Sequence, residues 1–66
     1  MKILLNGEHR EVPEGLTVTA LLAHLAIPAG RIAIERNLDI LQRDQWESTT
    51  VSAGDRFEVV HFVGGG

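Results

Sequence analysis

The clearest chemical potential lies in Gly64-Gly65-Gly66, which closes the 66-residue sequence. Lacking Cβ atoms, such a run is thin enough to thread a narrow channel, and its amides and carbonyls are open to backbone hydrogen bonds. The carboxylate at its end is unhindered. An α-carboxyl has a pKa of about 3.5, so at neutral pH it is an anion able to attack an activated phosphate. Ordering the run costs roughly 1–2 kcal/mol per residue, which a partner must offset, so a docking surface is expected elsewhere on the chain. Taken alone, three glycines also read as a frayed terminus or a cloning scar, and only their context separates the readings.

Other candidates for chemistry are weaker. There is no Cys, hence no disulfide, no thiolate nucleophile and no thiolate metal site, so any sulfur chemistry must use another atom. His9, His24 and His61 fall on separate segments without metal-ligand spacing and read as solvated or partly packed. Glu11 and Glu14 flank Pro13 in a short loop and form a solvated turn rather than a catalytic pair. Gly7 serves hairpin geometry, not a phosphate cradle. Trp46 is a packing anchor, with a partner contact through Arg43 and Trp46 as the alternative.

A chain of this length makes one small domain that buries only about 60% of its unfolded surface, too little for a deep catalytic cleft. Its 44% apolar and 23% charged content suits a folded domain. The net charge of −3, with basic residues scattered, gives nucleic-acid binding no support. The start has three apolar residues before Asn6-Gly7, short of a secretory segment, and no stretch reaches membrane-spanning length. A cytoplasmic protein, monomeric when free and without membrane contact, is expected.

The elements that must position the glycine end follow from periodicity. Residues 2–5 and 8–12 form two strands around Asn6-Gly7, a two-residue hairpin signal. Thr17 stands where a helix N-cap belongs, and Val18, Leu21, Leu22 and Leu25 make one helical stripe. Ala20 replaces the Glu or Gln of a capping box, and Pro28-Ala29-Gly30 marks the helix end. Residues 31–36 and 39–41 read as a third and a fourth strand, 42–55 as an irregular segment anchored by Trp46 and Val51, and 56–63 as the best strand. One helix can bury its stripe only across one face of a mixed sheet. The expected fold is α+β, a β-grasp with four to five strands, as domain 1–63 followed by a flexible glycine tail 64–66.

Alternation also assigns faces. In the last strand Phe57 and Val59 point to the helix, leaving Glu58, Val60 and Phe62 outside. Leu4 with Lys2, and Ala33 with Glu35, fall outside on the first and third strands. Leu4, Ala33, Val60 and Phe62 are therefore the candidate partner-binding patch, apolar and rimmed by charge. Gly64 and Gly65 are candidates for threading, and Gly66 for the reacting carboxylate.

From Ile3-Leu4-Leu5-Asn6-Gly7-Glu8, through Gly15-Leu16-Thr17-Val18 and Leu21-Leu22, to Arg43, Trp46, Gly54-Asp55 and Val63-Gly64-Gly65-Gly66, the whole chain resembles the ThiS family. Its members are ubiquitin-like sulfur carriers of thiamine thiazole biosynthesis. The resemblance implies that an E1-like adenylyltransferase of the ThiF type uses ATP and Mg²⁺ to adenylate Gly66. Sulfur from a cysteine desulfurase route then displaces AMP to give a thiocarboxylate, which a ThiG-type thiazole synthase consumes. It implies no cofactor on this chain, whose role is that of a co-substrate and not an enzyme. The small subunit of molybdopterin synthase, another thiocarboxylate carrier, shares the fold and the glycine end. A β-grasp interaction module with incidental glycines is the reading from a different class.

Overall fold

The structure is a computed structural model and describes residues 1–62. The tail 64–66 and the last position assigned to the domain, 63, lie outside the described residues. β1 (Lys2–Leu5) and β2 (Glu8–Glu11) pair antiparallel, with Leu5 opposite Glu8. Asn6 and Gly7 join them with φ of 48° and 81°, the two left-handed residues of a type I′ turn. All four β2 residues are exposed and three are charged, which protects this sheet edge from further pairing.

The helix α1 spans Val18–His24. Thr17 caps it, its hydroxyl accepting the Ala20 N–H at 3.1 Å. No capping-box acid is needed, because the irregular segment 42–55 supplies the other acceptors: the Val18 and Thr19 N–H groups donate to the Thr49 and Trp46 carbonyls at 2.9 and 3.2 Å. The far end departs from expectation. The helix stops at His24, short of Pro28, because Ala26 turns left-handed at φ 57°. The Ile27 N–H then reaches the Leu22 carbonyl at 2.9 Å and the Ala26 N–H that of Ala23 at 3.1 Å, a Schellman closure on a residue other than glycine.

β3 (Ile32–Arg36) and β4 (Asp39–Leu41) form a second hairpin, and β5 (Arg56–His61) is the last strand. The order is β2-β1-β5-β3-β4, five strands with β5 in the centre, parallel to β1 and antiparallel to β3. Ile3 and Leu5, Ile32 and Ile34, and Phe57 and Val59 point to one side, where Val18, Leu21 and Leu22 of α1 meet them. Phe57 is 1% exposed, and truncating such a side chain costs about 3–5 kcal/mol.

Between β4 and β5 the chain holds itself by polar contacts. Trp46 is buried and donates its indole N–H to the Leu41 carbonyl at 3.2 Å, as its anchoring role requires. The Arg43 guanidinium lies 4.3 Å over its ring and donates to the Ala29 and Gly30 carbonyls at 2.7 and 2.9 Å. Arg43 thus fastens the connection after α1, which makes it structural here. Asp55, 6% exposed, accepts from the Ser52 N–H at 2.8 Å, from Arg36 Nε and Nη2 at 3.0 Å each, and from Asn37 Nδ2 at 3.2 Å. This hub fixes the start of β5.

Candidate docking face

The site is built on β5, the strand that precedes the glycine end in sequence. Three neighbours hold that strand. β1 pairs with its first half, through Leu4 with Arg56 and Leu5 with Phe57. Beyond the end of β1 the Asn6 side chain takes over, its Oδ1 accepting the Val59 N–H at 2.7 Å and its Nδ2 donating to the Val59 carbonyl at 3.2 Å. On the other side β3 pairs with Phe57 through His61, and the Phe62 N–H continues the ladder to the Arg31 carbonyl at 2.8 Å. The main chain is therefore fixed up to Phe62.

The side of the sheet away from α1 is open. Val60 is 58% exposed and Phe62 55%, as the alternation predicts, and half-buried Ala33 lies directly opposite Val60. These three come together. Leu4 does not join them: it sits against Arg56, four residues before Val60, about 13 Å away along the strand direction. Alternation assigns a face but not a register, and the parallel β1–β5 register carries Leu4 to the opposite end of the sheet.

Ile40 takes the place that alternation assigns to Leu4. It is 71% exposed and opposes Glu35, which in turn opposes Glu58. The row Ile40, Glu35, Glu58 borders the row Ala33, Val60, so two adjacent carboxylates are framed by apolar side chains. Neither enters an ion pair among the described residues. A legible signal does exist for Ile40, which must point out where Leu41 points in. The Glu35–Glu58 juxtaposition needs the register.

Gly64, Gly65 and Gly66, assigned to threading and reaction, lie outside the described residues. His9, His24 and His61 are exposed, and among the described residues no three His, Cys, Asp or Glu side chains gather to hold a metal ion. No helix among the described residues is long and apolar enough to cross a membrane.

A hairpin, one crossing helix, and a last strand inserted parallel beside the first define a β-grasp protein of the ubiquitin-like class, in which the glycine end comes next in sequence after the central strand of the sheet. The comparison with protein families is specific within that class. The chain belongs to the ThiS family, whose model matches residues 3–66.

The crystal structure of the thiamine biosynthesis protein ThiS from Geobacter metallireducens superposes with a TM-score of 0.87 at 36% identity, covering 100% of both chains. ThiS of Bacillus subtilis, named a sulfur carrier protein, is 34% identical over 50 residues, 76% of each chain. A thiazole synthase from Paramagnetospirillum magneticum is 41% identical over 66 residues. That match takes in 100% of this chain and 20% of the relative, as does a 39% match to the thiazole synthase of Magnetococcus marinus. The chain thus spans about a fifth of the length of the first curated relatives it matches.

Proposed function

We propose that this chain is the sulfur carrier for thiazole formation in thiamine biosynthesis, with the Gly66 carboxylate as the group that reacts. A free carboxylate is a poor acyl electrophile. An E1-like, ThiF-type adenylyltransferase supplies ATP and Mg²⁺; a carboxylate oxygen attacks the α-phosphorus, pyrophosphate leaves, and the acyl-adenylate gains a good leaving group. The terminal sulfur of a persulfide, drawn from a cysteine desulfurase, attacks the carbonyl carbon and displaces AMP. A thiol then attacks the donor-side sulfur of the acyl disulfide, forming a disulfide with it and releasing the thiocarboxylate. A ThiG-type thiazole synthase accepts the sulfur, and the chain acts throughout as a co-substrate.

The observation that carries this reading is the family match over residues 3–66, which runs through the glycine end. The face geometry supports it. Ala33, Val60, Phe62 and Ile40 form the docking surface that offsets the cost of ordering the glycines. Four extended residues reach at most about 14 Å, so an enzyme docked there must hold its nucleotide within that distance of Phe62. The relatives named thiazole synthase carry a segment similar to this chain within a longer polypeptide, which fits a partner of that kind.

The test is a thiazole-formation assay with the adenylating enzyme, the synthase, ATP and a persulfide source. The full chain is expected to support turnover and a chain ending at Phe62 to support none. Equal turnover with both would refute the reading and favour an interaction module.

A further inference from the structure

The open face has a second feature, at the end opposite Phe62. A cavity of about 490 Å³ is lined by Met1, Lys2, Leu4, His9, Ala53 and Arg56, among others. Its geometry follows from strand pairing: Leu4 has His9 opposite it on β2 and Arg56 opposite it on β5, so one row crosses three strands with an apolar centre. Lys2 lies on the same face, two residues before Leu4. Leu4 and Met1 are half-buried, whereas Lys2, His9 and Arg56 are exposed.

The charge around this cup is unusual for the chain. Of the six Lys and Arg residues, Arg36 is paired with Asp55, Arg10 lies 4.0 Å from Glu8, and Arg43 is spent on Trp46 and two carbonyls. Among the described residues Lys2, Arg31 and Arg56 enter no ion pair, and two of these three stand on the cup. Glu11, opposite Lys2, lies 3.7 Å from the Met1 ammonium instead. A chain of net charge −3 thus sets, among the described residues, two of its three Lys and Arg side chains without an ion pair around one apolar floor.

We propose that the cup is a second docking site, for a protein segment that seats one Leu- or Phe-sized side chain over Leu4 and sets carboxylates against Lys2 and Arg56. An apolar anchor with a charged rim is how partner surfaces combine affinity with orientation. Nucleic acid fits poorly, because the cup is lined by no Phe, Tyr or Trp to stack a base, with His9 as its one ring, and the chain as a whole is acidic. Arg56 and Phe62 are six residues apart on an extended segment, about 20 Å. A segment in the cup therefore leaves Val60 and Phe62 uncovered, so one protein can hold the domain while another works at its far end. The site does not depend on the sulfur-carrier reading.

The test is an amide chemical-shift titration of the full chain with three probes: a decapeptide with a Leu-Phe centre between glutamates, the same peptide with lysines for glutamates, and vesicles of mixed phosphatidylcholine and phosphatidylserine. The acidic peptide is expected to shift the amides of residues 2–4, 9 and 53–56, with a dissociation constant below about 1 mM. The double variant Lys2→Gln/Arg56→Gln should keep its melting temperature and bind at least about fivefold more weakly. The proposal is overturned by equal binding of the lysine peptide, by unchanged binding in the double variant, by no shift up to about 2 mM acidic peptide, or by shifts with the vesicles alone.

Discussion

The side-chain amide of Asn6 grips the main chain of Val59 from both sides, accepting its N–H at 2.7 Å and donating to its carbonyl at 3.2 Å across 53 positions of sequence. It stands in for the β1 residue that would have paired there had the hairpin not turned away. Asn6 also carries a φ of 48°. Replacing it with glycine keeps that conformation and removes only the clamp. Asn6→Gly is expected to cost about 1–3 kcal/mol, because two main-chain groups lose their partners. Urea unfolding measures this, and hydrogen exchange should quicken at Val59.

Glu35 and Glu58 oppose each other on β3 and β5 without an ion pair among the described residues. Like charges set directly opposite destabilise a sheet by about 0.2–1 kcal/mol. Glu35→Gln should therefore raise the urea midpoint while weakening binding to the adenylating enzyme, which would present a cation to the pair. A variant both less stable and unimpaired in binding would count against the docking role of this row.

Asp55 accepts from Arg36, Asn37 and the Ser52 N–H while 6% exposed. Asp55→Ala leaves the half-buried Arg36 guanidinium and a main-chain donor unsatisfied. Its expected cost is about 3 kcal/mol, a little under that of breaking a fully buried pair. Calorimetry should show the loss as a lower melting temperature.

Besides Asn6 and Asn37, two residues other than glycine are left-handed: Ala26 at φ 57°, closing α1, and Leu38 at φ 74°, in the β3–β4 turn. Side chains other than glycine, Asn and Asp pay a steric penalty there, partly offset by the greater freedom glycine has when unfolded. Ala26→Gly and Leu38→Gly are each expected to raise stability by about 0.5–1 kcal/mol in denaturant unfolding.

The fold is legible where periodicity and turn chemistry agree. Asn6-Gly7, the stripe from Val18 to Leu25, and the alternation through Phe57 and Val59 each specify one element, and one helix leaves a mixed sheet little choice of architecture. Ending α1 at Pro28 overextends it, because the stop is made by Ala26, whose residue type carries no such signal. Grouping Leu4 with Val60 fails since a period of two says nothing about how strands slide past one another. The Asn6–Val59 clamp, the Asp55 hub and the cup around Leu4 all join residues distant in sequence, so their chemistry exists only once the strands are in register.

The central claim, that sulfur is carried on the Gly66 carboxylate, is tested most directly by fragmentation mass spectrometry after incubation with the adenylating enzyme, ATP and a persulfide source. The full chain is expected to exchange one oxygen for sulfur in fragments that contain Gly66 and in no others, while a chain lengthened by one residue after Gly66 folds normally and gains nothing. Sulfur found on an internal residue, or loading of the lengthened chain, would contradict the account.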